Sequence, residues 1–371
     1  MQEERTVILV GASVRAAAFS AMRRGGQPWC LDLFGDADLR RLCPVRVVPR
    51  HLYPQGIPQM VADLAPLGTV QYTGGLENHP RIVARLARLR SLWGNGPDTL
   101  RAVRHPGRLA EVLGENVAPL TFNLTDVPRD GSWLAKPIRG CGGKGIEPVT
   151  ASTQPRQGWY YQQFQPGKSV SVVYLADAPN GCRLLGATWQ LVGESWLHAK
   201  PFAYCGSLGP MRLNGEQVEK LLEIGRRLHQ SFTMVGYFGV DAIVLPDGRF
   251  RVVEVNPRFT ASVEVIEYAQ QLRLASREQN TCLGKAILFA SKSLQFPEQG
   301  PWMDVLAKPP AIEEPPEYAD IPMPGTMIGP GQPILTLFAK GDSEEHCRRE
   351  LRRKAEMLDR WLYDGKMLER L

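Results

Sequence analysis

The sequence has no apolar run approaching the roughly 18 residues that a membrane-crossing helix needs. Its start, MQEERTVILVGAS, passes from charge straight into a short strand-like run, without the apolar core and cleavage site of a signal peptide. A cytoplasmic protein with no membrane partner is expected. Seven cysteines, at 30, 43, 141, 182, 205, 282 and 347, form no CxxC pair and no zinc spacing. Reduced thiols are therefore the default, and the sequon Asn123-Leu124-Thr125 carries no weight. No basic patch interleaved with aromatics is present and a net charge of +6 is mild, which argues against nucleic acid and for a small anionic substrate. GxGxxG is absent as well, which excludes a dinucleotide fingerprint and with it a dehydrogenase. The Walker A pattern fails too, since Gly167-Lys168-Ser169 has Gln162 where a glycine is required. There is no internal repeat and no low-complexity tract.

What is present is an ordinary globular composition, 43% hydrophobic and 22% charged, over 371 residues, enough for two or three packed units. The first unit reads as a strand at 6–10, a turn at Gly11-Ala12-Ser13, a helix at 15–24 and a strand at 28–33, a βαβ start typical of parallel sheets. A helix over 80–93, with Ile82, Val83, Leu86 and Leu89 on one face, closes it before the break at 94–97. From about Trp133 the pattern changes to short strands and hairpins, followed by a helix at 216–232. The segment 308–325, KPPAIEEPPEYADIPMPG, reads as extended or linker-like. A strand, PILTLFA, and a last helix follow; the basic run from Arg348 to Lys354 shares that helix with Leu351, Ala355, Leu358 and Leu362 and reads as its solvated face.

Chemistry concentrates in the stretch FGVDAIVLPDGRFRVVEVNPR. With Leu245 facing Phe250 across the PDG turn, Asp241 stands opposite Glu254, and strand alternation puts Asn256 on the same face. Opposed carboxylates repel, so a divalent cation is expected to hold them, with Asn256 adding a neutral oxygen. Upstream, Lys136 ends an apolar strand and is followed by the loop Arg139-Gly140-Cys141-Gly142-Gly143-Lys144-Gly145, whose glycines let backbone N–H groups approach a phosphate while Lys136, Arg139 and Lys144 supply positive charge. A flexible glycine hairpin is the plain alternative. The segment Gln162-Gln163-Phe164-Gln165 is suited to an adenine. For an acceptor the candidates are His198, Tyr204, Gly206 and Ser207, from a Trp-, His-, Tyr- and Gly-rich stretch at 188–210, with Ser13, Arg15 and Glu77 as a second wall. Structural histidines, helix caps and turns would account for the same residues. Nothing near Cys141 or Cys205 indicates a reactive thiol.

In this order, Lys136-Pro137, a glycine-rich loop, a QQFxPG segment, an acid on one strand and Glu254-Val255-Asn256-Pro257-Arg258 on the next resemble the ATP-grasp superfamily. Across its length the chain looks most like the ATP-dependent carboligases that accompany one-carbon cofactor genes in methylotrophs and planctomycetes. The resemblance implies an α/β (α+β) architecture with the ATP-grasp fold: a Rossmann-like pre-ATP-grasp domain at 1–95, the ATP-grasp domain at 96–300, and a C-terminal extension at 301–371 packing on the large lobe. The small antiparallel lobe would run over about 120–195 and the large lobe over about 196–300. It further implies ATP and Mg²⁺, with Mn²⁺ as a substitute. Lys136 would contact the α- and β-phosphates, with Gly140, Gly142, Gly143 and Gly145 closing over them. Gln162 to Gln165 would line the adenine and ribose, Asp241, Glu254 and Asn256 would hold the metal, and Arg258 with Lys144 would steady the transferred phosphoryl group. The activity implied is a carboxylate–amine ligase acting through an acyl phosphate, adding an amino acid such as glutamate to a tetrahydromethanopterin or methanofuran analogue. The partners are then small-molecule acid and amine substrates, with a homodimer as the assembly common in the family. A bicarbonate-using carboxylase and a non-catalytic nucleotide-binding regulator are the competing readings. One departure stands out: many members carry a lysine ahead of the central lobe, where this chain offers only Arg101, Arg104 and Arg108.

Overall fold

The computed structural model describes residues 6–64, 67–177, 181–276, 281–309 and 312–364. The charged start and the last seven residues of the C-terminal extension lie outside this set, as do residues 310 and 311 of the Pro-rich segment. The chain opens as a parallel sheet of β1 (Thr6–Val10), β2 (Gln27–Asp32), β3 (Val45–Val47) and β4 (Thr69–Tyr72), in the order β3-β2-β1-β4. Ile8, Leu9 and Val10 of the central β1 are all buried, the unbroken apolar pattern of a strand covered on both faces. Helix Arg15–Arg23 joins β1 to β2, as the sequence predicts. The closing helix, Pro80–Leu89, stops short of the expected residue 93 because Arg90 is extended and Leu92 bridges to Val70 beside β4.

Two antiparallel sheets follow. The smaller contains β5 (Leu120–Thr121), β6 (Asp130–Pro137), β7 (Glu147–Thr150) and β8 (Trp159–Gln163), ordered β5-β8-β6-β7. The larger has eight strands: β9 (Lys168–Asp177), β10 (Gly181–Val192), β11 (Tyr204–Gly209), β12 (Gly236–Val244), β13 (Phe250–Asn256), β14 (Cys282–Phe289), β16 (Tyr318–Ala319) and β18 (Pro333–Gly341). Their order is β13-β12-β9-β10-β11-β14-β18-β16, and a two-stranded ribbon of β15 (Leu294–Gln295) and β17 (Met327–Ile328) sits beside them.

This topology moves two expected boundaries. The small lobe ends at β8, whereas β9 and β10, expected in a small lobe reaching residue 195, are central strands of the large sheet. The sequence of β9 accounts for it: Val170, Val172, Val173 and Tyr174 are all buried, so this strand needs cover on both faces. Val172 and Tyr174 meet the helix Gly215–Phe232 side, while Val173 packs with Val263 and Ile266 of helix Ala261–Ser276. The C-terminal extension does more than pack on the sheet, because β18 is hydrogen-bonded to β14 along its length and helix Glu344–Asp364 lies on that pair. Part of the Pro-rich stretch is likewise built in, since Tyr318 and Ala319 pair with β18.

Candidate active site

The small and large sheets face each other across a cavity of about 590 Å³. Its acidic floor is the β12–β13 hairpin, where Asp241 pairs with Glu254 and Gly239 with Asn256. The route to that register differs from the sequence expectation. Val244, not Leu245, faces Phe250, and a bulge between Asp241 and Ala242 shifts the remaining pairs by one residue. The bulge therefore restores the acid pair that a regular hairpin with this turn would have missed. It also leaves the Val253 carbonyl within 3.5 Å of Lys136 Nζ.

Asn256 Nδ2 donates to Asp241 Oδ2 at 2.8 Å, and Gln190 Nε2 donates to Asp241 Oδ1 at 3.1 Å. Burial and the neighbouring Glu254 push the Asp241 carboxyl up to about 7. Glu254 is half-buried, and although desolvation works to raise it, Arg104, Lys136 and Arg258 hold it below the usual carboxylate range. Lys136, itself buried, donates to Gln162 Oε1 at 2.9 Å from the facing strand of the small sheet. Arg258 spans the floor and the N-terminal unit: Nε donates to Glu77 Oε1 at 2.8 Å and Nη2 to Asn256 Oδ1 at 3.3 Å. Glu77 is buried with its Oε2 unpartnered, as is the hydroxyl of Tyr53 nearby; burial and then Glu77 raise that phenol above its ordinary range.

The sequence-derived candidates divide. Lys136, Gly142, Gly143, Gln162, Gln163, Phe164, Gln165, Tyr204, Asp241, Glu254, Asn256 and Arg258 line the one cavity. Arg139, Gly140, Lys144 and Gly145 belong to the same loop but do not line it. Gly140 instead offers its carbonyl to Asn78 and Arg104, at 3.1 and 2.6 Å. Gly143, at φ +77°, presses so closely on Phe202 that a Cβ would stand 1.8 Å from that carbonyl oxygen, so the loop bridges the cleft only because no side chain is there. Of the three arginines, Arg104 reaches the site, whereas Arg101 and Arg108 pair with Asp98 and Glu111 on their own exposed turns.

Four acceptor candidates lie elsewhere. His198 bonds Asp359 of the last helix at 2.9 Å. Gly206 is a sheet-centre residue pressed on the Lys285 backbone. Ser13 faces a different cavity. Arg15 is fully buried and its guanidinium is taken by Glu264, Asp320 and Asp38. Ser207 is buried behind the wall and reaches the cavity through Tyr204, whose hydroxyl it meets at 2.9 Å. Missed from the sequence were Gln190, Ser171 opposite Asp241, Tyr53, and Thr260, whose buried hydroxyl is unpartnered. Cross-strand pairing brings Ser171 and Gln190 to the acids, and packing between units brings Tyr53 to Glu77; neither kind of partner is recorded in the spacing along the chain.

The donor set fits a hard divalent cation. Two opposed carboxylates and an amide supply oxygen, and among the described residues no group of three or more His, Cys, Asp or Glu forms a full cage. Mg²⁺ bound by few protein ligands completes its shell with water and phosphate oxygens, and the cavity above the acids has room for a nucleotide.

Residues 110–262 match the family model described as ATP-grasp domain. The chain has the ATP-grasp fold. No curated protein matches it in sequence. In fold, the chain is similar to the biotin carboxylase domain of Hydrogenobacter thermophilus 2-oxoglutarate carboxylase, a dimer in complex with MgADP, ADP and bicarbonate, at TM-score 0.70 and 14% identity over 99% of this chain and 96% of that one. It is also similar to an L-amino acid ligase from Bacillus licheniformis (TM-score 0.65, 16% identity, 96% and 98% covered). N5-carboxyaminoimidazole ribonucleotide synthetase from Thermotoga maritima gives 0.63 and 13% over 95% and 98%. ATP-grasp domains are ATP- and Mg²⁺-dependent ligase modules, and the chain is an enzyme of that broad type. Among the described residues no helix is long and apolar enough to cross a membrane.

Proposed function

We propose that the chain is a carboxylate–amine ligase that activates an acid with ATP and captures it with an amine. The observation that carries this reading is the convergence of Asp241, Glu254, Asn256, Arg258 and Lys136 on one cleft roofed by a glycine loop. Lys136 would contact the α- and β-phosphates, a reading supported by its bond from the small sheet to Gln162 and its approach to the Val253 carbonyl. Gln163 to Gln165 and the half-exposed Phe164 offer a flat amide-rich wall for the adenine and ribose. Asp241, Glu254 and Asn256 would hold Mg²⁺, which when bound neutralises phosphate charge and aligns the γ-phosphoryl group.

In the proposed reaction the substrate carboxylate oxygen attacks the γ-phosphorus and ADP leaves; the amine nitrogen then attacks the acyl carbon, and phosphate leaves as the C–N bond forms with loss of a proton. Arg258, held by Glu77 and bonded to Asn256, would stabilise charge on the transferring group. Arg104 takes the place of the usual lysine, anchoring the loop through Gly140. The loop excludes water, which would otherwise hydrolyse an acyl phosphate. The acid and amine proposed are a one-carbon cofactor precursor of pterin or furan type and an amino acid such as glutamate. That choice rests on the overall resemblance of the sequence.

A second reading is favoured by two of the structural neighbours, which are a biotin carboxylase domain and a carboxyaminoimidazole synthetase: bicarbonate as the activated acid. Both are tested by Mg²⁺-dependent ADP release over a panel of acids and amines, with Glu254→Gln as the blank. Transfer of ¹⁸O from a labelled organic carboxylate into phosphate supports the ligase. Release that requires bicarbonate and no organic acid supports the carboxylase, and tight ATP binding without turnover under any pairing overturns both.

A further inference from the structure

A second cavity, of about 280 Å³, lies beyond the carboxyl ends of β1 and β2, where the Ser13 turn and the loop 33–36 face Asp320 and β18. It shares no lining residue with the nucleotide cleft. Much of its wall is apolar, from Leu33, Phe34, Ile287, Met327 and Leu335. Its charged groups are Asp36, Asp320 and Arg50. Asp320 is engaged, since it accepts from Arg15 at 2.8 Å and from Thr336 at 2.5 Å. Arg50 lies over the Phe34 ring at the exposed side.

Asp36 differs from both. It is only 4% exposed, it precedes the short helix Ala37–Arg40 without capping it, and among the described residues no hydrogen bond or ion pair reaches its carboxylate. The little surface it keeps opens on the cavity, since its oxygens are not among the fully enclosed unpartnered atoms, and a carboxylate so nearly buried without a protein partner is a costly arrangement. Its surroundings add to the cost: burial first, then Asp320, Asp38 and Asp32, push this carboxyl well above the usual range, with Arg15 alone opposing them.

We infer that this cavity binds a small ligand whose primary ammonium group pairs with Asp36 and whose apolar body lies against Phe34, Ile287 and Met327. An ammonium ion supplies the cation the site lacks, and its three donors suit a carboxylate set among other acids. The space takes a body about the size of a leucine side chain. Arg50 at the rim would meet a carboxylate, which brings apolar α-amino acids into the same class. The inference does not rest on the ligase reading, because the two cavities have no residue in common.

The test is titration calorimetry on the full chain with saturating MgADP, using isoamylamine, leucine and isoamyl alcohol as probes. The amine is expected to bind at least about tenfold more tightly than the alcohol of the same shape, and Asp36→Asn to abolish that preference. Met327→Trp, at a largely exposed wall position, should weaken both by narrowing the cavity. Equal binding of amine and alcohol would mean a neutral Asp36 and would overturn the inference. So would an amine preference that survives Asp36→Asn, or no binding by any probe at about 10 mM. If Asp36→Asn does not fold, the amine-to-alcohol contrast in the natural chain, together with weakening of both probes in Met327→Trp, decides the matter.

Discussion

Two clusters of charge sit on the large sheet, one buried and one half-buried at a cavity, and they are built to different ends. Around Arg15 the partners are complete: Glu264 takes both ends of the guanidinium at 2.7 and 3.0 Å, Lys285 meets Glu264 at 2.6 Å, and Asp320 takes the remaining edge. Around Glu254 they are not. Two acids face each other, three cations stand near without an ion pair to either, and the space between opens into a cavity. Buried charge alone does not mark a site. The incomplete cluster is the one we propose for the chemistry, and the complete one ties the N-terminal unit to helix Ala261–Ser276 and the C-terminal strands.

The largest effect expected from breaking this contrast is at Arg15. Arg15→Met leaves Glu264 and Asp320 buried beside one lysine, and the chain should lose about 3–5 kcal/mol of stability in denaturant titration. Glu254→Gln should cost much less, because the lost attraction to Arg104, Lys136 and Arg258 is offset by relief of its repulsion of Asp241. Turnover should nevertheless fall by about 10²–10³-fold, read as ADP release. Retained turnover would erase the distinction between the clusters.

A pH titration sharpens it further. Burial raises Asp320, but Arg15, Lys285 and hydrogen bonds outweigh it and lower the group from 3.8 to about 2. A depressed carboxyl stabilises above its unfolded value, so this contribution, roughly 2 kcal/mol, should be present above about pH 4 and lost as pH falls towards 2. Asp320→Asn should remove that part of the acid limb in urea melts taken across the range. The smallest effect belongs to His198→Ala. Its pair with Asp359 is partly exposed, so a change under about 1 kcal/mol and unaltered ADP release are expected; a large loss of turnover would return His198 to the site.

Much of the architecture was legible because it follows from local pattern. The β1–helix–β2 start falls within a residue of its expected bounds, and the helix expected at 216–232 is found at Gly215–Phe232 with its Asn214–Gln217 capping box. The acid pair was also legible, though by a route the bulge corrected. Lobe membership was not, since a Val-rich strand such as β9 reads the same wherever its two covering layers come from.

The sequence by itself therefore determined the ordered set of Lys136, the glycine loop, Gln162 to Gln165, Asp241 and Glu254 to Arg258, because strand period and turn chemistry act over a few residues. Tertiary structure alone decided which flanking groups join them. Arg104 rather than Arg101 or Arg108 reaches the loop, Glu77 grips Arg258 from 181 positions away, and Arg15 is consumed in a tether. Those outcomes depend on how three sheets pack, and a charge's partner across a packed interface leaves no trace in the spacing along the chain.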